Sequence, residues 1–176
     1  IASLTADGEW RRNAGQTEAQ TRFALTSDDL AGALSALGFA PTVSGRNARI
    51  NGDLIWPAAA GGFDWAQGRG TVNLAVDDGA LRTVDPGGTS RVLGLLNFYA
   101  LPRRLTLDFG DVVSKGLGFD RIEGTFQLAK GVAHTDGLSV RGPSLKMEVR
   151  GDVGRAAHDY NQIITVTPNT TGITLG

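Results

Sequence analysis

Residues 145–153 place the tightest limit on what this chain can become. Leu145, Met147, Val149 and Val153 alternate with Lys146, Glu148, Arg150 and Asp152. In extended backbone, successive side chains point to opposite faces, so this is a strand with one apolar and one charged side. Such a strand needs a sheet to pair with and a cover over its apolar face.

The same pattern recurs along the chain. Residues 4–10 read as a strand, with a turn expected near Asp7-Gly8 and a polar turn at 11–15. Thr21, Phe23 and Leu25 alternate with Arg22 and Ala24. Ala48, Ile50, Leu54 and Trp56 oppose Arg49, Asn51 and Asp53. Phe63 and Trp65 flank Asp64. Val72, Leu74 and Val76 form a further one-sided strand, and Asp78-Gly79 predicts a hairpin whose return runs over 81–84. Ile122, Phe126 and Leu128 share a face, Lys130-Gly131 turns, and Val132, Leu138 and Val140 come back. Gly142-Pro143 turns again before the strand at 145, and 160–166 is the last strand. With 25 glycines in 176 residues, the strands are joined by short turns. That predicts an antiparallel meander.

Two helices interrupt it. Ser27 is a natural N-cap, Asp28 and Asp29 suit the positive end of a helix dipole, and Leu30, Ala33, Leu34 and Leu37 line one face before Gly38 ends the turn. At 91–99, Val92, Leu93, Leu95, Leu96, Phe98 and Tyr99 are broken only by Arg91, Gly94 and Asn97. A helix with so narrow a polar stripe must be covered on more than one side. Pro102 closes it, and Leu105, Leu107 and Phe109 then alternate with Arg104, Thr106 and Asp108. Residues 111–118 read as a loop. The predicted fold is mainly β (α+β): a curved antiparallel meander with two short helices packed in or across the curve, forming one domain over 1–176. Several strands offer an apolar face, and only two helices are available to cover them. A closed sandwich would bury those faces against a second sheet. An open curved sheet would line a groove with them.

The composition excludes several functions. A formal net charge of −1 leaves no basic footprint for nucleic acid. No cysteine is present, which removes disulfides, thiolate metal sites and cysteine nucleophiles. No apolar run reaches the ~20 residues of a spanning helix. The chain starts at Ile1 without Met, which suggests a fragment of a longer protein.

Catalytic motifs are equally sparse. His134 with Asp136 and His158 with Asp159 are imidazole–carboxylate neighbours, but neither has the helical spacing of a zinc site. Val140-Arg141-Gly142-Pro143-Ser144 is a turn and not a nucleophile elbow. Gly87-Gly88-Thr89 could meet an anion at a helix start, and Arg103-Arg104 a lipid phosphate. Asn169-Thr170-Thr171 fits a glycosylation sequon. The residues assign no catalytic group, no metal and no cofactor.

One resemblance spans most of the chain. Arg91-Val92-Leu93-Gly94-Leu95-Leu96, Leu101-Pro102-Arg103-Arg104-Leu105 and Gly118-Phe119-Asp120-Arg121-Ile122-Glu123-Gly124 resemble the C-terminal region of the large AsmA-like proteins of Gram-negative bacteria, of the YhdP type. Gly8-Glu9-Trp10, Thr26-Ser27-Asp28-Asp29-Leu30, Gly52-Asp53-Leu54-Ile55-Trp56-Pro57 and Val166-Thr167-Pro168-Asn169 follow in the same order. The resemblance implies a long periplasmic protein tethered to the inner membrane by an N-terminal helix. Its elongated curved sheet would hold phospholipid in a hydrophobic groove and carry it between inner and outer membranes. The implied partners are phospholipid, the rest of the parent chain and the outer membrane. On that basis Leu105, Leu107, Phe109, Ile122, Phe126, Leu128, Leu145, Met147 and Val149 are expected to line the lipid path or its end. Val92, Leu95, Leu96 and Tyr99 would belong to a helix that plugs or gates it. The alternative is a non-enzymatic scaffold or interaction module with a closed core, supporting outer-membrane assembly or permeability.

Overall fold

The computed structural model describes residues 1–13, 15–81, 117–143, 145–154 and 160–169. Among them eight strands follow one another in a single antiparallel sheet whose spatial order is the chain order. They are β1 (Ala2–Asn13), β2 (Gln16–Ser27), β3 (Val43–Pro57), β4 (Arg69–Leu81), β5 (Leu117–Ala129), β6 (Val132–Arg141), β7 (Leu145–Gly154) and β8 (Tyr160–Pro168). The expected meander is therefore present, with β1 and β8 as its two edges. The helix expected at 91–99 and the strand at 105–109 lie outside the described residues. The described residues hold one α-helix, α1 (Leu30–Ala36), where two were expected, and a single 3-10 turn at Ala58–Ala60.

Local chemistry explains two of the joints. Ala129 pairs with Val132 across Lys130 and Gly131, whose φ angles are 51° and 78°. Positive φ at both central residues is what a two-residue hairpin of right-handed twist requires, and a glycine supplies it cheaply. Between β6 and β7, the Gly142 N–H donates to the Leu145 carbonyl at 2.9 Å. The Asn169 amide donates to the Gly142 and Pro143 carbonyls at 2.7 and 3.2 Å. The asparagine of the sequon thus braces a turn.

Three local expectations are corrected. β1 runs straight through Asp7-Gly8, which pair with Arg22 and Thr21, because the twelve-residue β2 offers a continuous partner. Asp78-Gly79 is not a hairpin. Asp78 does take a positive φ of 46°, but Gly79 pairs with Phe119 and Leu81 with Leu117 inside the β4–β5 ladder. The glycine is there for closeness: a Cβ at Gly79 would collide with the Ser44 carbonyl and the Phe119 ring. Finally, Asp29 and not Ser27 caps α1. Its carboxylate accepts from the Gly32 N–H at 3.0 Å, while the Ser27 hydroxyl accepts from the Asp29 N–H at 3.0 Å. Gly38, with φ of 81°, ends the helix as expected, but Leu37 turns to solvent and leaves Leu30, Ala33 and Leu34 as the packing face.

The core lies on one side of the sheet. Residues directly opposed in an antiparallel ladder share a face. One row runs Val76–Ile122–Val140–Met147–Val166 over β4 to β8. A second begins Leu4–Leu25–Ile50–Leu74 over β1 to β4 and reaches Gly124 on β5. There the Leu138 side chain occupies the space that a glycine Cβ would need. The row continues from Leu138 to Val149 and Ile164. An apolar face thus extends over all eight strands, across register shifts in the β5–β6 and β6–β7 pairings. Leu30 of α1, Val43, Ala48, Leu81, Leu117, Phe119 and Phe126 complete the buried cluster.

Candidate functional site

The apolar face is the candidate surface, and its cover is uneven. Ile122, Phe126, Leu128, Leu145, Met147 and Val149 all sit on it, and all six are buried, Met147 to 1% exposure. Ile50, Leu54, Val72 and Leu74 on β3 and β4 are only partly buried against the same cluster. At the β1 edge the face opens further, with Leu4 55% exposed. Leu105, Leu107 and Phe109, and the helix residues Val92, Leu95, Leu96 and Tyr99, lie outside the described residues.

Sequence reasoning placed six neighbours on one surface but did not join Ile50, Leu54, Val72, Leu74 and Val76 to it. The signal was available in each strand's alternation. What was missing was the register, which says which strands' apolar sides meet. β6 adds a complication. Ala133 and Thr135 are buried, and so are Leu138 and Val140, although the two pairs differ in parity. The pairing with β7 shifts between Thr135 and Leu138, and one extra residue flips the side chains that follow to the other face.

The opposite face is a lattice of ion pairs. Glu18 holds Arg69 through two contacts of 2.8 and 3.0 Å, and this hydrogen bond keeps the Glu18 carboxyl below its usual range. Asp53 accepts from Gln20 at 2.7 and 2.9 Å and from Arg22 at 3.1 Å, so its carboxyl is also held low, first by the glutamine. Arg121 bridges Asp77 at 2.8 Å and Glu123 at 2.9 Å, and Arg141 reaches Glu123 at 3.3 Å. Lys146 meets Glu148 at 2.7 Å. Pairs so exposed add little to stability; their main effect is to keep this face wet. A cleft of about 520 Å³ on this face, between β4, β5 and β6, is lined by Asn73, Glu123, Thr125, Gln127, Asp136 and Ser139 among others. Its carboxylates are already engaged, Glu123 with two arginines and Asp136 with His134.

His134 pairs with more than its sequence neighbour. Its Nε2 lies 3.0 Å from Asp136 and its Nδ1 lies 2.7 Å from Asp152 on β7. These hydrogen bonds, the one to Asp136 foremost, raise its pKa. Among the described residues no three histidine or acidic side chains converge as a metal would need. His158, Gly87-Gly88-Thr89 and Arg103-Arg104 lie outside the described residues. No helix of the described residues is long and apolar enough to cross a membrane.

Fold and face together define a class: a β-meander with one continuous apolar surface, backed by paired charges. Compared with known families, residues 2–175 match the family described as YhdP protein, and the chain belongs to that family. It is 30% identical over 168 residues to the intermembrane phospholipid transporter YhdP of Escherichia coli (strain K12). That match takes in 96% of this chain and 13% of the relative, so the chain corresponds to a small part of a much longer protein. No solved structure matches it.

Proposed function

We propose that this chain is a C-terminal segment of a periplasmic bridge protein that carries phospholipid between the inner and outer membranes. The parent would be held at the inner membrane by another of its segments, and the apolar sheet face, curved into a groove, would be the track. The observation that carries the proposal is the apolar face shared by β1 to β8, on a chain similar to a phospholipid transporter over nearly its whole length. Burying acyl chain on such a face contributes about 0.8 kcal/mol per CH₂. Because successive rows are alike, a lipid can shift from one to the next over low barriers. Half-buried Ile50, Leu54, Val72 and Leu74 offer the accessible stretch. Ile122, Phe126, Leu128, Leu145, Met147 and Val149, with Leu105, Leu107 and Phe109, would form the inner wall or the end of the path. Val92, Leu95, Leu96 and Tyr99 would gate it. The reading requires no catalytic group, metal or cofactor.

The test is photo-crosslinking in the intact parent protein in cells. A photoreactive residue at Ile50 or Leu74 should yield phospholipid adducts by mass spectrometry. One at Asn51 or Asn73, on the charged face of the same strands, should not. Equal adducts on both faces, or none on either, would sink the track.

A second reading has its own support. The deep burial of Ile122, Phe126, Leu128, Leu145, Met147 and Val149 suits a filled module that supports outer-membrane assembly or permeability by binding other proteins. Native mass spectrometry of the gently purified chain separates the two. Retained phospholipid favours the track, and a clean apo mass favours the filled module.

A further inference from the structure

All three tryptophans of the chain, Trp10, Trp56 and Trp65, are brought to one end of the sheet and to its apolar face. Trp10 on β1 pairs with Ala19 on β2, and Ala19 with Trp56 on β3, so two indoles flank one small side chain. Phe63 meets Trp56 edge to face at 5.7 Å between ring centroids, and Trp65 meets Phe63 at 5.3 Å. The Trp65 carbonyl in turn lies 3.7 Å from where a Cβ on Gly131 would stand. A line of aromatic rings therefore runs from the β1 edge to the β5–β6 turn, along the end where β1–β2, β3–β4 and β5–β6 are joined.

Rings packed only for structure are fully covered, and these are covered only in part. Trp10 is 72% exposed, and Trp56, Phe63 and Trp65 each keep part of their surface in solvent. The acidic groups at this end are engaged, Asp64 by neutral amides that leave it its charge. Glu9 is paired with Arg11 and Glu18 with Arg69. The Asp64 carboxylate accepts from the Ala66 N–H and the Gln67 amide. Arg12, two positions beyond Trp10 on the same face, and Lys130, at the tip of the β5–β6 turn, are exposed and have no acidic partner among the described residues. Amphipathic indoles beside cations that have no acidic partner among the described residues match the chemistry of a lipid–water boundary. There the rings sit at headgroup depth and the cations meet phosphate.

We propose that this end of the sheet docks on the headgroup layer of a phospholipid bilayer. Trp10, Trp56 and Trp65 enter the interface, and Arg12 and Lys130 take lipid phosphates. The proposal rests on the lipid-carrying reading only in choosing a phospholipid surface as the partner. It gives the apolar face an orientation, with its aromatic end toward the membrane.

The experiment adds vesicles of phosphatidylethanolamine and phosphatidylglycerol to the chain and follows tryptophan emission and co-flotation. Docking gives a blue shift, quenching by lipids brominated near the headgroup, and partitioning weakened about tenfold by Trp10→Ala and by the double change Arg12→Glu with Lys130→Glu. The charge variant alters only exposed side chains, so it reports even if Trp10→Ala disturbs the fold. No blue shift and no co-flotation overturns the proposal. So does binding that both variants leave unchanged, and so does a shift produced equally by a short-chain phospholipid below its micelle concentration, which would place single lipids on the face instead. Adducts at Ile50 and Leu74 that persist while vesicle binding fails would leave the track standing and remove only this docking.

Discussion

Met147 has the sharpest residue-level consequence. At 1% exposure, between Val140 on β6 and Val166 on β8, it fills space that neighbouring strands cannot close. Met147→Ala should cost about 2–5 kcal/mol of stability, measured by urea unfolding, from lost transfer energy plus a residual cavity. An unchanged midpoint would mean that this position opens to a groove and was never packed. His134 predicts a pH effect whose sign follows from its partners. Both ring nitrogens face carboxylates, so the doubly protonated ring is favoured and its pKa lies above the usual 6.5. A raised folded-state pKa contributes stability that is complete below the unfolded value and is lost as pH rises through the folded one. The difference in melting temperature between the native chain and His134→Ala should therefore be largest on the acid side and shrink as the solution turns alkaline. A difference that grows with pH would contradict the two-carboxylate geometry.

Among the elements, α1 is the one most dependent on a single contact. A helix of seven residues does not stand on propensity. It rests on Leu30 and Ala33 against the sheet and on the Asp29 cap. Asp29→Ala should remove about 1 kcal/mol and speed amide exchange in 30–36 while leaving β5 to β7 untouched. Ser27→Ala should do less, since its hydroxyl serves only the Asp29 N–H. The presence of this helix was legible from Leu30, Ala33, Leu34 and Gly38. Its cap was not, because Ser27, Asp28 and Asp29 are all good capping residues. The strand ladder made the choice by keeping Ser27 paired with Ala2 and Ala48.

Across the molecule, burial is graded from the centre of the sheet to its edges. β5, β6 and β7 carry Ile122, Leu138, Val140 and Met147, all nearly inaccessible, and each has a partner strand on both sides. The side chains described on β1 are all exposed, and its outer edge has no partner among the described residues. Hydrogen exchange should follow that gradient: slowest in β5 to β7, faster in β8, fastest in β1. Uniform protection across the sheet would show that the whole apolar face is sealed, which would count against a lipid track. An unprotected strand of twelve residues is also a template for pairing, so β1 is where this segment is most open to another strand.

The one-sidedness of each strand, most of the tight turns and the order of the meander were written in the residues themselves. They follow from period-two backbone geometry and from the positive φ that glycine accepts, and both act over a few neighbouring positions. The joining of those apolar sides into one face, the parity change between Thr135 and Leu138, the continuation of β4 through Asp78 and Gly79, and the pairing of His134 with Asp152 came only with the fold. Each depends on strand register, a long-range property set by how whole ladders align, and no local window of sequence contains it.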